Sequence, residues 1–265
     1  MMSTLINISL SIKKFMLTRQ QLEIINRKNL RYPLHVAEKD YLLTLVLQII
    51  SKSNLAKTLI FKGGTAIHHC YLKQYRFSED LDFSTNQKPV SLENIRSIFK
   101  QSSFLSIKKD YLSKATIKIE KLQYTGLLVQ PNSLKVEIDY LQNVVLPPKT
   151  LKYQNYWGVN FLVAVMDIKE ICAEKIRAMS GRARYRDFYD LFLILKKHRV
   201  DLKEIVGLIK KKEIRLPITK NNVTQNWKIV LTQKEKKTGQ IYYSKKVKDS
   251  DIEKMIKGLP FTKII

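Results

Sequence analysis

The chain has 265 residues, with 48 Lys and Arg against 23 Asp and Glu, a formal net charge of +25. An apolar fraction of 45% excludes a disordered chain, and no uninterrupted apolar stretch reaches the ~20 residues a membrane-spanning helix needs. Two cysteines, Cys70 and Cys172, exclude both a disulfide framework and a cysteine-built zinc site.

Residues 1–16 read as a leader, and Met16 serves equally well as a start. The stretch carries no basic region ahead of its apolar part, which Asn7, Ser9 and Ser11 interrupt, so no signal peptide is read and a cytoplasmic protein is expected. Tyr41–Ile50 is apolar without a clean period and is expected to be a buried helix. Thr58–Lys62 predicts a short buried strand that ends at Gly63-Gly64, with a helix from Thr65 to Gln74 behind it. Leu81–Ser84 predicts a strand, Leu92–Lys100 a helix and Ala115–Tyr124 a strand. Leu134–Tyr140 alternates, with Leu134, Val136, Ile138 and Tyr140 on one side and Lys135, Glu137 and Asp139 on the other. Val163–Met166 is a short apolar run, followed by a helix over Asp167–Ser180, a basic loop over Gly181–Tyr185, and a helix over Arg186–Lys197. Strands come early and helices late. The expected fold is therefore α+β, a small mixed sheet flanked by helices with a mostly helical C-terminal portion. The expected domains are 1–160, a core with N-terminal helices, and 161–265, helical and lysine-rich.

The charge is uneven. Residues 196–265 hold 19 basic against 7 acidic residues, +12 in 70 positions, while residues 1–195 hold 29 against 16, or +13. Clusters fall at Lys210, Lys211 and Lys212, and at Lys234, Lys236, Lys237, Lys245, Lys246 and Lys248. Such a field draws polyanions, and each neutralised phosphate releases a counterion. A lysine-rich surface also serves solubility alone.

Phe61–Ser84 carries the most chemistry. Two glycines between a strand and a helix let the backbone approach a ligand and turn its N–H groups outward, an arrangement suited to phosphate. Asp80 and Asp82, two apart on a strand, share a face while Leu81 and Phe83 take the other. Adjacent carboxylates repel unless a cation lies between them, and hard divalent ions take oxygen ligands of this kind. A third carboxylate can come from Leu134–Tyr140. Glu137 reads as part of a solvated face, so Asp139 is selected. On the helix after Asp167 the apolar stripe Ile168, Ile171, Cys172, Ile176, Met179 contains Lys175, with Glu170, Glu174 and Arg177 on the polar side. A lysine so placed either snorkels to solvent or meets a buried anion. Asp187 and Asp190, three apart on the next helix, are placed to orient it. His68 and His69 point in different directions and are expected to be structural or substrate-lining. Neither a G-x-S-x-G nor a Walker motif is present.

FKGGTA, RFSEDLDF, DIKEICAEKIRA and RYRDFYDL, in that order over about Leu59–Leu195, resemble the AbiEii/AbiGii toxins, minimal nucleotidyltransferases of the polymerase-β-like superfamily. The resemblance implies transfer of a nucleotide from a nucleoside triphosphate to an RNA acceptor such as the 3′ end of tRNA, with Mg²⁺ or Mn²⁺ as cofactor and pyrophosphate released. By position, Gly63, Gly64, Thr65 and Lys175 would hold the triphosphate and Asp80, Asp82 and Asp139 the metal. Asp80, Asp82, Lys175 and Asp187 would form the catalytic set. A cognate antitoxin is the implied protein partner. A protein hydroxyl or small-molecule acceptor, or a non-catalytic nucleic-acid-binding role, are the alternatives.

Overall fold

The computed structural model describes residues 16–85, 89–212, 214, 216–236 and 242–264. The leader expected over 1–16 lies outside them except for Met16, as does Lys237 of the second lysine cluster. The chain divides into two compact units. The first comprises residues up to Phe61, Ser78–Leu141 and Thr150–Ala164, and the second Lys62–Phe77, Gln142–Lys149 and Val165 onward.

The first unit opens with helices α1 (Arg19–Asn29) and α2 (Leu34–Ser51). Thr18 starts α1 with a capping box, its side chain accepting from the Gln21 backbone while the Gln21 side chain accepts from the Thr18 N–H. Helix α2 contains the expected Tyr41–Ile50 and is buried nearly all round, including Glu38 and Asp40. Both carboxylates are used: Asp40 accepts the Trp157 indole N–H at 2.8 Å, and Glu38 accepts the Leu128 N–H at 2.7 Å. A buried acid on such a helix needs partners of this kind, since an unpaired buried charge is prohibitively costly.

The sheet comprises β1 (Leu59–Lys62), β2 (Asp80–Thr85), β3 (Leu105–Leu112), β4 (Thr116–Thr125), β5 (Pro131–Asp139), β6 (Lys149–Lys152) and β7 (Leu162–Val165). Its order is β3-β4-β5-β2-β1-β7-β6. Strands β2 and β5 pair in parallel, and β4 is antiparallel to both β3 and β5, so the sheet is mixed as expected. Leu81, Phe83, Ile117, Ile119, Leu134, Val136 and Ile138 are all buried, which leaves the alternate residues for the polar face. Helix α3 (Leu92–Lys100), capped by Ser91, matches the expected bounds. The strand β3 was not legible: LSIKKDYL lies at the sheet edge, mostly exposed, and its lysines and β-bulge near Lys109 hide the alternation.

The second unit contains the glycine turn. Residues Gly63–Ala66 form one α-turn and Ile67–Tyr71 one turn of π-helix, closed by the Leu72 N–H on the Ile67 carbonyl at 2.9 Å. The expected helix Thr65–Gln74 is thus shorter and starts at the glycines. It stops because Leu72 is extended and Gln74 has φ +43°. Five further helices follow: α4 (Ile168–Gly181), α5 (Tyr185–Lys197), α6 (Leu202–Lys211), α7 (Lys220–Lys236) and α8 (Asp249–Lys257). Asp167 and Asp201 cap α4 and α6 by accepting N–H groups in the first turn. Their shared core includes Ile171, Cys172, Ile176, Met179, Phe188, Leu191, Ile205, Val223 and Trp227. The cysteines are free and buried, and burial pushes both thiols up to about 12. Among the described residues no helix is long and apolar enough to cross a membrane.

Candidate active-site residues

In the first unit, Asp80 and Asp82 are half-buried at the start of β2, on the face opposite the buried Leu81 and Phe83. The parallel register sets Asp80 beside Lys135, Asp82 beside Glu137, and Ser84 beside Asp139. Glu137 therefore stands level with Asp82, and Lys118 and Lys135 approach it at 3.3 and 3.7 Å. Asp139 lies one pleat further along and accepts the Leu141 N–H at 3.0 Å. Among the described residues no three His, Cys, Asp or Glu side chains are gathered into a group able to hold an ion. Two carboxylates on one strand face still suit Mg²⁺, which is commonly held by one or two carboxylates together with substrate phosphates and water.

In the second unit, Gly63 has φ +77°, a left-handed conformation that favours glycine, and Gly64 and Thr65 are buried directly behind it. Lys175 is buried on α4 and has met its anions. Its ammonium lies 2.9 Å from Asp187 Oδ1 and 2.8 Å from Asp190 Oδ2. Asp190 also accepts Arg76 Nε at 2.8 Å, Arg76 Nη2 at 2.7 Å and the His68 ring at 3.0 Å. Arg182 closes the other end, its Nε 2.9 Å from Asp187 Oδ2. The expectation that Asp187 and Asp190 orient Lys175 holds in the geometry.

The electrostatics follow. Burial alone would raise the Asp187 carboxyl, but the Lys175 and Arg182 charges outweigh it and hold the pKa at about 2. Burial likewise opposes ionisation of Asp190, yet Arg76 and Lys175 keep it well below the usual carboxylate range. Lys175 itself is raised, because Asp190 and Asp187 overcome its desolvation. Burial pulls His68 down to about 4, so at neutral pH it is an uncharged ring. Since a carboxylate can only accept, the proton is on Nε2.

A second ionic cluster was missed. Glu170 and Glu174, read as the polar side of their helix, are covered by Lys212, which lies 2.5 and 3.1 Å from them, and Lys62 reaches Glu174 at 3.4 Å. Glu170 also accepts the N–H groups of Val145 and Leu146, both at 2.9 Å. Helical spacing shows which residues share a face, but not that a lysine 42 positions away covers it. Arg76 was missed for the same reason: its partner lies 114 residues on, and its only local sign is an arginine just ahead of a strand.

The mixed sheet, with a glycine turn after its first strand and paired aspartates on its second, shares its fold with solved nucleotidyltransferase structures. The nucleotidyltransferase toxin MenT4 from Mycobacterium tuberculosis superposes with a TM-score of 0.59 at 22% identity, over 74% of this chain and 70% of that one. JHP933 from Helicobacter pylori gives 0.56 at 15% identity over 84% and 90% of the two chains. A nucleotidyltransferase structure from H. pylori gives 0.54 at 16% identity over 85% and 95%. The chain belongs to the AbiEii family: the model described as nucleotidyl transferase AbiEii toxin, type IV toxin–antitoxin system, matches residues 45–252. An uncharacterized protein of Aquifex aeolicus (strain VF5) is 32% identical over 153 residues, 57% of this chain, and the match spans 64% of that protein's length.

Proposed function

We propose that this chain transfers a nucleotide from a nucleoside triphosphate to an RNA acceptor, the 3′ end of a tRNA, as the toxin of a toxin–antitoxin pair. The acceptor 3′ oxygen forms a bond to the α-phosphorus, the bond from that phosphorus to the bridging oxygen breaks, pyrophosphate leaves, and the hydroxyl proton passes to solvent. Asp80 and Asp82 would hold a divalent ion, Mg²⁺ or Mn²⁺, with substrate phosphates and water completing its shell, since Asp139 lies one pleat further along. Bound there, the ion favours the ionised acceptor hydroxyl and neutralises charge on the leaving group. Gly63, Gly64 and Thr65 offer backbone N–H groups to the triphosphate. Lys175 has three N–H donors and commits two to Asp187 and Asp190, so one remains for a phosphate oxygen. Asp187 completes the set by keeping that ammonium charged and oriented. Catalysis on this reading is positioning and charge stabilisation.

The observation that carries the reading is the Asp80–Asp82 pair on one strand face of a chain in a nucleotidyltransferase family. The net charge of +25 supports RNA as acceptor. The test is incubation with total RNA and each labelled triphosphate, with and without Mg²⁺. One labelled RNA band that requires the metal, and is lost with Asp80→Asn, is the expected outcome. Label on a protein band, or full labelling by Asp80→Asn, refutes it.

A further inference from the structure

The buried cations of the second unit are matched by carboxylates: Arg76 and Lys175 by Asp190 and Asp187, Lys62 and Lys212 by Glu174 and Glu170. Another group of lysines in the same unit is not. Lys73 lies between the π turn and β2, Lys197 ends α5, and Lys245 lies just ahead of α8. Neither Lys73 nor Lys245 pairs with a carboxylate among the described residues. Lys197 spends its ammonium on the Tyr71 carbonyl at 2.7 Å. The Lys245 ammonium stands 4.5 Å from the centre of the half-exposed Tyr75 ring.

These lysines sense one another. Lys197 has a lowered pKa, first from partial burial and then from the positive charges of Lys73 and Lys245, the reverse of what paired lysines show. The backbone fixes the grouping. Phe77 N–H donates to the Tyr242 carbonyl at 3.0 Å and Ser244 N–H to the Tyr75 carbonyl at 2.9 Å. Arg76 and Tyr243 form an antiparallel bridge, and the Tyr189 hydroxyl donates to the Lys245 carbonyl at 2.7 Å. Gln74, at φ +43°, donates its N–H to the His68 carbonyl at 2.8 Å, so the loop carrying Lys73 is held in a costly conformation. Like charges mounted on a pinned frame repel until an anion enters. A run of phosphates supplies one anion per nucleotide, and an aromatic face beside it accepts a base.

We propose that Lys73, Lys197 and Lys245, grouped around Tyr75, form the surface that grips the phosphate backbone of the RNA acceptor and stacks one of its bases on the tyrosine. The proposal rests on the RNA-acceptor reading above and assigns it a surface. The tail lysine Lys245 then acts with a lysine of the segment leading into the aspartate strand.

The test uses the full chain and unfractionated tRNA, with affinity measured across about 50–200 mM salt. Lys73→Gln/Lys245→Gln removes one exposed and one half-exposed charge. Lys28→Gln/Lys52→Gln, exposed at the ends of α1 and α2, removes the same charge from the first unit. The first pair is expected to flatten the slope of log affinity against log salt by about 1.4–1.8, two contacts at ~0.7–0.9 each, and the second to leave it near the wild-type value. Tyr75→Leu is expected to weaken binding at least about fivefold with the slope kept, the loss of one stacked base. Triphosphate binding, read by calorimetry, is expected to hold in all three. If wild-type protein labels RNA but the Lys73/Lys245 variant binds it with an unchanged slope, the proposal is overturned and the acceptor reading stands. Equal flattening by both double variants also overturns it, since net charge alone would then act. If wild-type protein neither binds nor labels RNA and modifies a protein instead, the acceptor reading itself fails and takes the proposal with it.

Discussion

Asp190→Ala removes the carboxylate on which the second unit's ionic network converges. Four hydrogen bonds end on its two oxygens, from two nitrogens of Arg76, from His68 and from Lys175, and the Asp190 carboxylate itself is fully buried. After the substitution Arg76, 1% exposed, keeps only its bond to the Phe77 carbonyl, while Lys175 keeps Asp187. Removing one member of a buried ion pair costs about 3–5 kcal/mol, chiefly through the charge left behind. Against a typical native stability of about 5–15 kcal/mol that is a third or more. With a urea slope of about 3 kcal/mol/M, the midpoint should fall by roughly 1–1.7 M. The companion variant Arg76→Met/Asp190→Leu takes both charges away together. It should lose less than Asp190→Ala, because a well-packed apolar pair replaces an ion pair at little or no cost. The assay is urea unfolding followed by circular dichroism. A midpoint for Asp190→Ala within about 0.2 M of wild type, or a double variant worse than either single one, refutes the argument.

His68 makes the network sensitive to mild acid. Its folded pKa of about 4 lies below the ordinary 6.5, so the unfolded chain takes up the proton first as pH falls. The stability of the neutral ring is complete above about pH 6.5 and is lost between 6.5 and 4, a total of about 3 kcal/mol. Unfolding free energies measured at intervals over that range should fall in wild type and stay flatter in His68→Gln; parallel curves refute the assignment. Asp187 and Glu174, both held at about 2, act in a separate window, their contribution being full above about pH 4.5 and disappearing toward pH 2. Glu170→Ala strands two backbone N–H groups, while the Lys212 ammonium keeps Glu174 and the Asn143 carbonyl, so it should cost about 1–3 kcal/mol, chiefly from the stranded amides. The amides of Val145 and Leu146 should lose hydrogen-exchange protection first, and unchanged exchange at both would contradict the clamp.

How much of this could be read from the sequence depended on how local the determinant was. The bounds of Leu92–Lys100, the burial of Tyr41–Ile50 and the alternation of β5 are set by residues a few positions apart, and each was legible. The inward lysine at 175 was legible too, because a charge in an apolar stripe demands an explanation. The π turn was not, since it ends through contacts of Tyr71 and Gln74 that no period records. Nor was the division of the chain, which passes between its two units five times, at Phe61, Phe77, Leu141, Lys149 and Ala164. The acid–base pairs spanning 112 to 114 residues, Lys62 with Glu174 and Arg76 with Asp190, are invisible to any window on the sequence. The register of β2 on β5 was equally hidden, and it decides that Glu137 rather than Asp139 stands level with Asp82.

The cost of the network indicates what it is for. An apolar core of the same volume would stabilise the second unit as well or better, so two buried aspartates, an arginine and a lysine are not explained by folding alone. A lysine buried without them would lose its proton easily, because desolvation lowers its pKa. Asp187 and Asp190 reverse that shift and fix the ammonium from two sides, while Arg76 and Arg182 keep the aspartates ionised. The sum is an ammonium held charged with only 10% of its side chain exposed and, among the described residues, one N–H left over. Such a group attracts a phosphate oxygen far more strongly than a surface lysine does, since the same charge acts at lower dielectric. The arrangement also separates two kinds of lysine in this unit. Lys175 is a single, immobilised point charge, whereas Lys73 and Lys197 are exposed, Lys245 is half-exposed, and Lys197 is repelled by the other two.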